Sequence, residues 1–300
     1  MVRIVTDSVA SIPSEVAREN DIDVVTLFVN RDGVEYADAE LDVDEFYRDI
    51  YGMIDNIPTS SQPSQVHLES MFDRIAQQGD ELLGVFLGSR MSGTFEAALR
   101  AARSVAAWHP GFSFRLIDST SNSFDEAWPV LRAAAAREAG ATIDQCAEEV
   151  ARGIESTRFL FVPESLTFLH KGGRIGNAGA LLGNLVKIFP VITVADGVSS
   201  TFSKVRTHNK ALAKMLDKFK EDVEQHGLKN VMVHYIGDKA PAVQWAREQV
   251  APIVDHEVAV RPVSPVVGMH VGPAIGIAYE CAAALTGKIV QPVSTLIHSS

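Results

Sequence analysis

Cysteine is almost missing from this chain of 300 residues: there are two, Cys146 and Cys281, far apart. That argues against a disulfide framework or a thiolate metal site, and a reducing cytoplasm fits. Basic residues are in deficit, 27 Lys and Arg against 38 Asp and Glu, for a formal charge of −11. A surface of that sign repels phosphate backbones, so no nucleic-acid partner is expected. Long hydrophobic runs are absent too. The most apolar stretch, 178–195, is interrupted by Asn184, Lys187 and Pro190, which argues against a membrane span. The N-terminal run meets Asp7 within a strand length, so it does not read as a signal peptide. Three catalytic signatures are lacking as well. The glycine spacing of a nucleophile elbow fails around Gly88-Ser89, and no phosphate loop ending in Gly-Lys-Ser/Thr occurs. His67, His208 and His234 show no metal-ligand spacing, so no metal and no cofactor is expected.

What is present is ordinary globular composition, 46% hydrophobic and 22% charged, in a chain comfortable for two domains. In the first half, strand-like runs at 2–7, 24–29, 81–88 and 112–119 alternate with helical periodicity at 61–79, 94–107, 126–139 and 142–155. Leu68, Met71, Phe72 and Ile75 illustrate that periodicity, and Asp42 followed by Glu45 is a candidate capping box. The alternation predicts an α/β fold, with a parallel sheet in an N-terminal domain over 1–156. The second half has a strand at 158–163, a short helix stopped by a glycine pair, and two strands around an Asp196-Gly197 turn. A long helix at 208–226 and further strands and helices follow, so a second α/β domain with a mixed sheet is expected over 157–300.

Hydroxyls crowd two of the junctions. FLGSRMSGTFEAA (86–98) sets Ser89, Ser92, Gly93 and Thr94 where a strand hands over to a helix. Capping is the plain reading of any one of them. As a group they favour an anion, because free N–H groups and the positive dipole end meet at a helix start. PTSSQPS (58–64) puts Thr59, Ser60 and Ser61 at another expected helix start, and two such ends face to face make a socket for a small anionic head. Ligands of parallel sheets gather beyond the carboxyl ends of strands. Asp7-Ser8 and Asp118-Ser119 stand at that rim, where the plain role of the acids is to hold loop N–H groups. His270 lies among glycines in GMHVGPAIG, with structural and binding roles equally open. Lys210, Lys214 and Lys218 share a helix face just after Lys204 and Arg206. That strip is either a solvated surface or a dock for an acidic or phosphate-carrying partner.

Taken in order, IVTDSVASIP, TSSQPS, SGTFEAA, LIDS, KGGRIG, KVRT and HVGPAIG resemble the DegV family of bacterial fatty-acid-binding proteins, across residues 2 to 285. The resemblance implies two α/β domains with a lipid tunnel between them and no catalytic activity alone. It implies a long-chain fatty acid as ligand and a separate ATP-dependent fatty-acid kinase as partner, which turns the presented carboxylate into an acyl phosphate. Transient contact with a membrane surface is compatible with that role. By motif, the carboxylate meets Ser60, Ser92 and His270. Thr59, Ser61, Gly93, Thr94 and Arg174 lie by the polar mouth, and Lys204, Arg206, Lys210 and Lys214 face the kinase. The chain departs from the family pattern at Ser60, where threonine is usual, and at Phe189, where lysine is usual and Lys187 stands nearby. Three hydrogen bonds of about 1.5–3 kcal/mol each offset burial of the head, and each buried methylene adds about 0.8 kcal/mol. The stretch 178–195 with Phe72, Phe95 and Phe168 are candidate tunnel walls, with plain core as the alternative. The competing readings are a serine-dependent hydrolase or phosphoryl-transfer enzyme using Ser92, His270 and an acid such as Asp7, and a lipid-sensing regulatory module.

Overall fold

The computed structural model describes residues 1–182, 188–254, 257–285 and 297–298. The first half runs β1 (Val2–Asp7), α1 (Ser14–Glu19), β2 (Ile22–Val25), β3 (Phe28–Arg31), β4 (Val34–Ala37), α2 (Val43–Arg48) and β5 (Thr59–Ser61). It continues through α3 (Gln65–Gln77), β6 (Glu81–Phe86), α4 (Thr94–Trp108), β7 (Phe114–Asp118), α5 (Phe124–Glu138) and α6 (Ile143–Ser156). Local chemistry accounts for the helix ends: Ser64 caps α3 through His67 N, and Thr142 with Gln145 forms a reciprocal capping box on α6. Asp42 caps α2 by accepting from Glu45 N. Strands β7, β6, β1 and β2 pair in parallel in that order, and β14 (Ile297–His298) closes the β7 edge antiparallel.

The run 24–29, expected as one strand, breaks at Thr26-Leu27. The Thr26 hydroxyl donates to Leu27 O and accepts from Ala39 N, and the chain crosses into a separate three-stranded antiparallel sheet, β4-β3-β5. Residues 59–61, expected at a helix start, are the edge strand β5 of that sheet, and only Ser64 reaches the helix end.

The second half supplies β8 (Thr157–Pro163), α7 (Thr167–Lys171), β9 (Phe189–Ala195), β10 (Val198–Val205), α8 (His208–His226) and β11 (Leu228–Ile236). Then come α9 (Lys239–Trp245), β12 (Ala259–Pro262), α10 (Pro265–Val271) and β13 (Ala274–Cys281). Six strands form one mixed sheet in the order β10-β9-β8-β13-β11-β12, antiparallel throughout except for β11 with β12. The molecule is therefore α/β, with a parallel sheet in its N-terminal half and a mixed sheet in its C-terminal half.

Three apolar clusters hold these layers. Phe72 and Phe95 belong to the core that α3 and α4 make against the parallel sheet, so they are not cavity walls as the sequence had allowed. Burying side chains of this size stabilises by about 1.5–3 kcal/mol each. A second cluster lies under α5 and α6. The largest cluster joins the halves: Val9, Leu27, Leu87 and Phe124 pack with Phe159, Phe161, Val194 and Val267. Phe168 belongs to it as packing for Gly272, whose ideal Cβ would stand 2.3 Å from the ring. Cys146 and Cys281 are free and buried. Among the described residues no helix is long and apolar enough to cross a membrane, and no cluster of His, Cys, Asp and Glu is suited to a metal ion.

Candidate functional site

Strand alternation turns Ser60 inward from β5, while Thr59 is exposed and Ser61 bonds outward to Glu35 and Asn30. Opposite lies α10, whose start is built by Ser264 capping Val267 N and by Pro265 at the first turn. Its last turn carries His270, whose Nε2 is 2.9 Å from the Ser60 hydroxyl. Two residues 210 apart in sequence thus meet. Burial, reinforced by the nearby Arg174 cation, pushes the His270 pKa down to about 4, so the ring is neutral near pH 7. Among the described residues its Nδ1 has no hydrogen-bond partner. Gly172, first of the glycine pair in KGGRIG, explains how the ring fits: a Cβ there would stand 2.6 Å from His270 Nδ1.

Arg174 completes this polar end. Its Nη1 donates to Gly172 O at 2.6 Å and its Nε to Met91 O at 3.3 Å. Among the described residues no carboxylate pairs with it, so a half-buried guanidinium is anchored by carbonyls and left with net charge. Ser92 faces the same space. Its oxygen is 2.9 Å from the Thr94 hydroxyl and accepts weakly from Thr94 N at 3.3 Å, so it also serves the start of α4.

Ser60, Ser92, Arg174 and His270 line one narrow cavity of about 60 Å³, with Asn122 and Ser199 as the other polar contributors. The remaining walls are apolar and come from both halves, including Leu27, Leu87, Met91, Phe159, Phe161 and Val267. On the measure by which one water needs about 10–15 Å³, this is a slot rather than a chamber. Thr59, Ser61, Gly93 and Thr94 stand outside its lining; Thr94 is buried beneath Ser92. Of the stretch 178–195, Val194 lines the slot, and Lys187 lies outside the described residues. Phe189 opens β9 with its ring against His208, centroids 6.0 Å apart. Valines 9, 266 and 271 and the Phe159/Phe161 pair were not singled out by the sequence, because one apolar strand face looks like another until its neighbours are known.

The rim acids serve the loops. Asp7 accepts from Val9 N and Leu87 N, both at 2.9 Å, and burial lifts its pKa to about 7 despite those bonds. Asp118 accepts from Ser89 N and Thr120 N. Neither orients His270, whose partner is Ser60 and not Ser92. The Ser92–His270–Asp7 relay of the enzymatic reading is not assembled. Lys204 on β10, Arg206 between β10 and α8, and Lys210 and Lys214 on α8 are exposed, but Lys214 pairs with Asp217, and Lys218 is drawn into Glu221 and Asp222.

Fold and cavity define the class: an α/β protein of three sheets whose two halves together wall a mostly apolar slot, with hydroxyls, a neutral imidazole and a guanidinium in its lining. The model of the family described as "Uncharacterised protein, DegV family" matches residues 1–281. A DegV domain-containing protein of Clostridium acetobutylicum is 35% identical over 283 residues, covering 93% of this chain and 97% of its own. Among solved structures, a DegV family protein from Thermus thermophilus described for its fatty acid binding matches with TM-score 0.82 and 28% identity, over 93% of this chain and 99% of its own. DegV of Bacillus subtilis, described as a fatty acid binding protein, matches with TM-score 0.82 and 26% identity over 93% and 99%. A stearic acid-binding protein from Eubacterium ventriosum matches with TM-score 0.82 and 26% identity over 94% and 99%. The chain belongs to the DegV family.

Proposed function

We propose that the slot binds one long-chain fatty acid and that this protein presents the acid's carboxylate to a separate kinase. The observation that carries the reading is that Ser60, His270, Ser92 and Arg174 all line one mostly apolar cavity, with Ser60 and His270 in contact. Ser60 and Ser92 donate O–H, His270 in its Nε2–H form donates N–H, and Arg174 supplies the charge that offsets burial of an anion. The tail follows the apolar walls, where each buried methylene contributes about 0.8 kcal/mol before ordering costs. A slot this narrow suits an unbranched chain in extended file and disfavours ring systems. Relatives described as fatty-acid or stearic-acid binders support the same ligand class.

Presentation to a kinase is the finer part of the proposal. Exposed Lys204 on β10, an edge strand of the mixed sheet, and Arg206 just past its end support a docking surface, with Lys210 and Lys214 following on α8. In this reading the chain has no catalysis of its own, since among the described residues no carboxylate bonds His270 Nδ1 to orient it as a general base. Residues 1–156 and 157–300 act as two domains closing on the tail, with any membrane contact brief. Mass spectrometry of a denaturing extract of the purified protein tests the ligand. Recovery of fatty acid near one per chain is expected. No lipid, together with no affinity for added hexadecanoic acid, refutes the reading.

A further inference from the structure

Four residues that wall the slot, Phe159, Phe161, Val267 and Val271, also wall a second cavity of about 10 Å³. This inner space is bordered by His234 and Gly276. Its origin lies in the sheet register. Phe161, Gly276 and His234 stand directly across β8, β13 and β11, on one face. The middle position lacks a side chain, which leaves a gap between a phenyl and an imidazole. A Cβ at Gly276 would come within 3.0 Å of the Phe159 ring and 3.2 Å of Phe161 Cβ, so only glycine keeps the gap open.

His234 gives that gap one polar feature. Its ring lies between Phe124 and Phe159, at 5.4 and 5.8 Å between centroids, and the residue is 2% exposed. Nδ1 is 3.1 Å from Arg261 O. A carbonyl only accepts, so Nδ1 carries the proton and Nε2 is left as an acceptor. Nε2 has no partner. Burial pushes the pKa down to about 4, which keeps the ring neutral. An unmet buried acceptor is uncommon enough to call for an explanation. The space is about one water in size, but a buried water takes about three hydrogen bonds. Here one free side-chain acceptor faces otherwise apolar walls. A hydroxyl carried on an alkyl chain needs only that one.

We propose that the inner end of the slot selects an acyl chain bearing a hydroxyl remote from its carboxylate, with the hydroxyl donating to His234 Nε2 over Gly276. The inference rests on the fatty-acid reading above and deepens it by naming a substrate class. Delipidated full-length protein, titrated with hexadecanoic acid and with its positional monohydroxy isomers, tests it. At least one isomer hydroxylated in the half of the chain away from the carboxyl is expected to bind about threefold to tenfold tighter than hexadecanoic acid, the range of one net hydrogen bond. His234→Leu should erase that ratio while retaining hexadecanoic acid, and Gly276→Ala should erase it by filling the gap. Ring 15N spectra of the unmutated protein give a readout independent of variant folding: Nε2 should shift with the preferred isomer and stay still with hexadecanoic acid. Hexadecanoic acid bound with every hydroxy isomer weaker, or Nε2 indifferent to all of them, overturns this inference alone. A water on Nε2 that persists in the hydroxy-acid complex also overturns it. Failure of every acid to bind overturns the fatty-acid reading with it.

Discussion

At the scale of single residues, the polar end of the slot can be dissected by side chain. Ser60→Ala and Ser92→Ala each remove one neutral donor and should weaken fatty-acid affinity about threefold to tenfold. Arg174→Gln removes the unpaired charge and should cost more, about tenfold to a hundredfold, because hydrogen bonds to ionised groups are the stronger kind. Competition binding with hexadecanoic acid ranks the three; an Arg174→Gln protein that binds like wild type would take the guanidinium out of the site. Gly172→Ala probes the glycine pair. Its new methyl would lie 2.6 Å from His270 Nδ1 and 2.9 Å from Phe168 O, so the ring must move off Ser60. We expect a binding loss equal to that of His270→Ala, although residue 172 touches no ligand.

Among elements, α8 is fastened to the mixed sheet through Asp222, which is 1% exposed. Its carboxylate takes Arg158 Nε at 2.8 Å, Lys218 Nζ at 3.1 Å and the Tyr279 hydroxyl at 2.7 Å. Burial alone would raise its pKa, but the Tyr279 bond and the two cations outweigh it, and the net shift is downward. Asp222→Ala would strand Arg158 without its counter-charge. A loss of about 3–5 kcal/mol is expected from urea midpoints, whereas a loss below about 1 kcal/mol would mean that water replaces the carboxylate. Strand β10 has a different part. It is an edge strand of its sheet, with Phe202 39% exposed near Lys204 and with Arg206 just past the strand's end. On the proposed kinase docking, reversing both charges (K204E with R206E) should abolish phosphorylation of the bound acid by the kinase while leaving its retention unchanged. Loss of both would place these residues in folding and not in docking.

For the molecule as a whole, buried ionisable groups set opposing slopes of stability against pH. His234 and His270 keep folded pKa values of about 4 against an ordinary 6.5. The unfolded chain therefore takes up protons first, and these residues lower stability as pH falls from 6.5 toward 4. Asp7 acts in the reverse sense. Its folded value of about 7 against 3.8 means the unfolded chain releases the proton first, so stability falls as pH rises from about 4 to 7. His234→Leu should make stability fall less steeply toward pH 4.5, by up to about 1.4 kcal/mol per pH unit at its steepest. Asp7→Asn should shift the trend the other way, removing the loss on approach to pH 7. Urea midpoints at pH 4.5, 5.5 and 6.5 measure both slopes, and parallel slopes in all three proteins would contradict the burial of these groups.

The sequence alone determined the local grammar. Period 3.6 in 61–79 and 94–107 and short apolar runs before Asp7 and Asp118 sufficed for α3, α4 and the parallel strands, because one buried face dictates each pattern. Seven ordered motifs sufficed for the family. Tertiary structure alone decided which apolar residues are core and which are wall: Phe72 and Phe95 went to the core, Phe159 and Phe161 to the slot. It also moved Ser60 from an expected helix start to an edge strand and left Thr59 and Ser61 facing away, since strand alternation acts only once a partner strand exists. The free acceptor of His234 was equally hidden, because Arg261 and Gly276 become its neighbours only when β12, β11 and β13 pair. Periodicity is written along the chain, whereas a cavity belongs to surfaces brought together from distant parts of it.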